Sequence, residues 1–105
     1  VLDTTLLINA VDRFADRLRA APQSRLQRGA AAEGLAVARE LALWAQRVEA
    51  QDREPRLMPD AGIFAVGDQL AVAGHDLAAA LETAPSTELD EAVRFVEEAA
   101  ARAFA

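Results

Sequence analysis

The chain of 105 residues has no cysteine, no lysine and no tyrosine, and a single histidine, tryptophan and methionine. Without cysteine there is no disulfide, no thiol nucleophile and no thiolate metal site. Glycine, proline and aromatic residues are few, while about a quarter of the chain is alanine, so local propensity favours helix over strand. No apolar run approaches the ~18 residues of a membrane span, and no charged, apolar, small-residue series marks a signal peptide. The chain starts at Val1 rather than Met, so a short leader or tag is expected to be missing, and the cytoplasm is the default location.

What is present is enough for one core. Hydrophobic residues make up 52% of the chain, which is sufficient to offset the ordering of a single domain spanning 1–105. The net charge of −6 argues against a nucleic-acid partner, because such binding neutralises phosphates with cations. The charge is unevenly placed: residues 1–59 carry nine arginines against eight acids, and residues 60–105 two against nine. Arg13, Arg17, Arg19, Arg25 and Arg28 form a basic knot that could meet the acidic half of another copy. With every cation an arginine, the Arg and Ala bias reads as the product of a GC-rich genome rather than as an arginine-specific role such as bidentate anion binding.

Four helical stripes follow. Leu7, Val11, Phe14, Ala15 and Leu18 share one face after Asp3, a candidate N-cap, and Pro22 ends that helix. Ser24 with Gln27 reads as a capping box for a second helix starting near Arg25. There Ala30, Gly34, Val37, Leu41, Trp44, Ala45 and Val48 recur over about seven turns, until Pro55 and Pro59 impose a loop. Asp60 then caps a third helix from Ala61 to Glu82, with Ile63, Val66, Leu70, Ala73, Leu77 and Leu81 facing inward. Beside them runs a line of small residues, Gly67, Ala71, Gly74 and Ala78, which suggests that a neighbouring backbone comes close. Pro85 breaks the chain, Thr87 and Asp90 match a helix start, and a fourth helix runs to Ala103 with Leu89, Ala92, Val93, Val96 and Ala103 inside. Its outer stripe is Asp90, Arg94, Glu98 and Arg102. Short connections favour antiparallel neighbours, so the expected fold is an all-α, antiparallel up-down-up-down four-helix bundle.

Several apolar residues are left on predicted outer faces: Leu6, Leu35, Leu43, Phe64, Val72 and Phe104. Phe64 and Val72 lie on one side of the third helix, and Leu35 and Leu43 on one flank of the second. Together these four are the candidate interface of a homodimer.

Chemistry is sparse. His75 lies among Asp68, Val72 and Asp76, and His75-Asp76-Leu77 resembles the start of the histidine-phosphotransfer pattern. That resemblance implies a four-helix bundle with His75 as phosphoacceptor, although Ala78 and Ala79 stand where the pattern has a lysine and a glycine. No Glu-x-x-His repeat supports a metal, and no cofactor is indicated. The serines and threonines sit at helix starts, and the acids mostly face arginines on outer faces, with Glu33 and Glu40 the two that invite a check of burial. Trp44 reads as core and Met58 as loop cover. The sequence therefore points to a non-enzymatic helical interaction module that self-associates. Its alternatives are a phosphotransfer bundle using His75, and a bundle holding a small apolar ligand around Trp44, Gly67 and Gly74.

Overall fold

The first stripe buries as its spacing dictates: α1 (Thr5–Ala20) turns Leu7, Val11, Phe14, Ala15 and Leu18 into the core. Asp3 starts this helix. Its Oδ1 accepts from the Thr5 backbone N–H at 3.0 Å and from the Thr5 hydroxyl at 2.6 Å, serving a donor that lacks an intrahelical partner. The computed structural model describes residues 1–50 and 52–105, and among these there is no strand.

The prolines begin helices as well as ending them. Pro22 has the extended backbone of an N-cap residue, with φ −67° and ψ 154°, so a short α2 (Gln23–Arg25) starts one residue ahead of Ser24. The expected Ser24–Gln27 capping box is absent, and no side chain caps this start. Pro85 acts in the same way for α5 (Ser86–Ala103), which leaves Thr87 inside the first turn. Leu26–Ala30 then forms a wide π-type turn around Gly29, whose φ of 151° only glycine adopts without strain. The long second helix expected from the sequence is thus bent before α3 (Ala31–Glu49) begins. α4 (Val66–Leu81) starts later than Asp60 suggested, because Asp60 Oδ1 instead accepts from the Gly62 N–H at 2.8 Å in a turn where Gly62 has φ 95°.

The four long helices pack around one core, making the all-α four-helix bundle that the stripes predict. α4 and α5 each pack along both α1 and α3, whereas α1 scarcely touches α3 and α4 scarcely touches α5. Their directions are set by residue pairs. Along α1 and α4, Asp12 meets His75 and Arg19 meets Asp68, an antiparallel relation. Along α3 and α5, Trp44 meets Glu88 and Glu33 meets Arg102, again antiparallel. Phe14 meets Phe104 at the far end of both α1 and α5, while Leu2 meets Glu82 at the near end, so α1 and α5 run parallel. α3 and α4 therefore also run parallel, with Gly34 beside Val66 near both N-termini. The order is up, down, down, up rather than the expected up-down-up-down. The cause is the connection between α3 and α4, which returns along the outside of α3 instead of turning at its end. Arg56 bonds to Gln46, the Met58 carbonyl accepts from Arg39 Nε at 2.9 Å, and the Pro59 carbonyl accepts from Gln69 Nε2 at 2.9 Å.

The small-residue line on α4 is a packing seam against α1. A Cβ at Gly67 would lie 3.0 Å from the Ala15 carbonyl oxygen, and one at Gly74 would lie 2.6 Å from Val11 Cγ2. Alanine at position 74 gains about 1 kcal/mol in helix propensity but overpacks against the stiff, branched Val11, at about 1–3 kcal/mol. Gly74→Ala is therefore expected to lower the denaturant midpoint. The Val11→Ala/Gly74→Ala pair should be less destabilised than the two single changes added together; strict additivity would show that the two positions do not press on one another.

The α1 start carries a pH dependence. The hydrogen bonds from Thr5 hold the Asp3 carboxyl below its ordinary value. A folded pKa below the unfolded one contributes stability above the unfolded value, and that stability is lost as pH falls through the folded value. Asp3→Ala should lower Tm at neutral pH, with the difference from the parent narrowing below about pH 3.9. A difference that is the same at both pH values would mean that Asp3 acts through something other than its charge.

Candidate functional site

The strap between α3 and α4, described over residues 52–65, decides what becomes of Leu35 among the four candidate interface residues. Leu35 is 8% exposed, because α3 presents it to the groove closed by Asp60, Gly62 and Ile63 of the returning segment. Leu43 is half-buried on α3, three residues before Gln46, whose side chain bonds to the Ala42 and Arg56 carbonyls. Leu35 is thus corrected from an outer interface to a buried position beside the chain's own loop. Phe64, in the turn ahead of α4, and Val72, on α4, stay outside at 72% and 62% exposure, four residues on either side of Asp68. Arg19 reaches across from α1 and places Nε and Nη2 at 2.9 and 2.8 Å from Asp68 Oδ1, while its Nη1 holds Asp16 at 3.0 Å. Both carboxylates raise the Arg19 pKa further, with the Asp68 hydrogen bond the largest cause.

Among the other leftover residues, Leu6 is exposed on α1 and Phe104 is half-buried. Phe104 sets its ring edge-on to Phe14, with centroids 6.2 Å apart, and carries the Arg17 guanidinium 4.0 Å above its face.

His75 sits half-exposed on α4 with Nε2 2.7 Å from Asp12 Oδ1. The contact engages Nε2 and leaves Nδ1 as the other ring nitrogen. Asp12 also occupies the side from which a phosphoryl group would approach Nε2. Among the described residues, no group of three or more His, Asp or Glu is placed to hold a metal. Glu33 is half-buried and receives Arg102 Nε at 3.2 Å and Nη2 at 2.9 Å, and Glu40 is exposed and faces Arg47 at 3.3 Å. Both are taken up by ion pairs.

The apolar-ligand site expected around Trp44, Gly67 and Gly74 is not assembled. Gly67 and Gly74 are filled against by α1, whereas Trp44 turns to α5 and donates Nε1–H to Glu88 Oε1 at 2.6 Å. Trp44 is half-buried rather than in the core, on a cleft of about 630 Å3 shared with Val48, Pro85 and Glu91.

Sequence reasoning missed a second polar groove of about 430 Å3 at the opposite end of α3, where Arg25, Arg28 and Arg102 meet beside Glu33. The i, i+3 spacing of Arg25 and Arg28 was visible, but Arg102 joins them only when α5 closes the bundle. No family model matches the chain, and no curated protein or solved structure matches it. The site is therefore read from its own geometry.

With Ala78 standing where the phosphotransfer pattern has the lysine that offsets phosphoryl charge, incubation with acetyl phosphate at neutral pH is expected to leave the chain without acid-labile phosphate. Labelling that disappears in His75→Gln would restore His75 as a phosphoacceptor.

Proposed function

We propose that this chain is a non-enzymatic helical interaction module that pairs with a second copy of itself through the outer face of α4. The observation that carries the reading is the exposure of Phe64 and Val72 on either side of Asp68, when most large apolar side chains of the bundle are buried or half-buried. A two-fold axis at Asp68, with the two α4 helices antiparallel, sets Phe64 of each copy against Val72 of the other. That is the self-complementary arrangement an isologous interface requires. Arg19 gives the axis its charge complementarity: each copy brings the Asp68 carboxylate with a guanidinium beside it, so opposite charges alternate across the axis instead of two bare carboxylates meeting.

The excess of acids speaks against nucleic acid as the partner. No helix among the described residues is long and apolar enough to cross a membrane. The reading takes the module as acting in the cytoplasm, which a chain without cysteine suits.

Light scattering across a hundredfold concentration range tests this directly. The expected result is twice the chain mass of 11.2 kDa. Phe64→Asp and Val72→Asp should each return the monomer mass with helix content unchanged, since both side chains are already mostly in water. Leu6→Asp, at the other end of the bundle, should leave the dimer intact. A monomer mass for the parent chain at every concentration overturns the proposal.

A further inference from the structure

We infer that Arg25, Arg28 and Arg102 form a binding site for a phosphate-type dianion, at the end of the bundle where α2, the π-type turn and the last turn of α5 meet. The three guanidinium groups come from three separate elements and line one groove of about 430 Å3, together with Glu33, Gly29, Ala30, Ala103 and Ala105. Glu33 answers the charge of Arg102 through Nε and Nη2. The other two cations face no Asp or Glu side chain in any ion pair of the described residues: Arg25 Nη2 donates to the Ala105 main-chain oxygen at 3.4 Å, and Arg28 makes no ion pair. These four side chains thus carry an excess of two positive charges, on a chain whose overall balance is −6. The local sign is opposite to that of the whole molecule, and it suits a compact anion.

Positioning adds to charge. The Arg25 guanidinium lies 5.7 Å from the centroid of the Phe104 ring, which is itself braced by Phe14 and capped by Arg17. A guanidinium held by a ring and a carbonyl loses less freedom on binding than one on a bare surface, so more of each hydrogen bond appears as affinity. Planar guanidinium groups present paired N–H donors that fit the oxygens of a phosphate. Between them Gly29 holds its non-helical backbone, and nothing lies within 4 Å of where a Cβ would be. The main chain is therefore open to a ligand oxygen at that point. The surrounding acids repel an extended polyanion, which restricts the site to a small group: the free anion, or a single phosphate on a larger molecule.

The test is a titration of the full chain with inorganic phosphate, at ionic strength held constant with chloride, followed by amide shifts in nitrogen-15 NMR. Saturable shifts centred on Arg25, Arg28 and Gly29 are expected. Arg28→Gln should weaken the apparent Kd about tenfold, as should Arg25→Gln. Arg53→Gln, a change of a strap arginine, should leave it unaltered. Phenyl phosphate distinguishes the sources: equal affinity identifies the free anion, and tighter binding identifies an esterified phosphate. A response that grows without saturating, or that Arg53→Gln reduces as much as Arg28→Gln does, overturns the site. Arg28 is exposed, so its variant folds independently of the outcome, and circular dichroism verifies this.

Discussion

The approach of the α4 backbone to α1, where the Ala15 carbonyl oxygen lies 3.0 Å from the place a Gly67 side chain would begin, constrains the other packings. Helices separated by side chains of leucine size have several ways to settle; helices separated by glycine have few, because the contact is backbone against backbone and cannot be repacked by changing rotamers. At Gly74, two turns on, the neighbour is a side chain instead, the stiff Val11 seated in the space. Once α4 is fixed on α1, its leucine stripe, Leu70, Leu77 and Leu81, turns into the interior, where each residue is fully buried and contributes about 1.5–3 kcal/mol of transfer free energy. Gly34 on α3 makes a matching recess for Leu18 and Val66, so α3 also settles close to α4. α5 then closes the open side between α1 and α3 with the smaller Ala92, Val96 and Ala99.

The parallel relation of α3 and α4 creates a second requirement. A chain leaving the end of α3 must travel back its length, ~28 Å for nineteen residues, before α4 can start beside Gly34. An extended chain covers ~3.3 Å per residue, so about nine residues are needed, and the segment between the helices has room for more. Pro55 and Pro59 suit this extended path because they give up no hydrogen bond there. In crossing α3 the strap must satisfy its own backbone, which explains the contacts of Gln46, Arg39 and Gln69 with its polar groups. Beside the same crossing Leu35 is 8% exposed.

Much of this was written in residue spacing. The α1 stripe, the α4 stripe from Val66 onward and the glycine line were legible, because helical periodicity and the size of a side chain act locally. Helix direction was not: a long connection between α3 and α4 suits a hairpin or a return crossing equally, and the choice lies in how Gly34, Val66 and Leu18 fit together. The starts at Pro22 and Pro85 were misplaced by a residue or two, because proline was read as a stop when its extended backbone also forms an N-cap. For the candidate site, Phe64 and Val72 could be seen as outward because they fall off the inward stripe of the spacing, although Phe64 lies in the turn before α4. Leu35 falls off the stripe of its helix too, but no property of α3 reveals that a segment much later in the chain will lie beside it.

Charge adds a further step. Counting by halves assigned Arg102 to an acidic region and Arg25 to a basic one, yet the parallel course of α1 and α5 delivers both to one end of the molecule. The absence of lysine then takes on structural meaning, whatever its genomic origin. A guanidinium has five donors in a plane and serves several partners at once. Arg19 holds Asp16 and Asp68 together, Arg102 binds Glu33 through two nitrogens, and Arg25 spans Phe104 and the Ala105 carbonyl. Each of these exposed contacts contributes little stability in water, but all three tie one element to another at a junction that core packing leaves open. An ammonium, a compact and strongly hydrated point charge, lacks the planar fork for the Arg102–Glu33 contact. In this bundle the apolar seams fix which helices touch, and the arginines fix how their ends are turned toward one another.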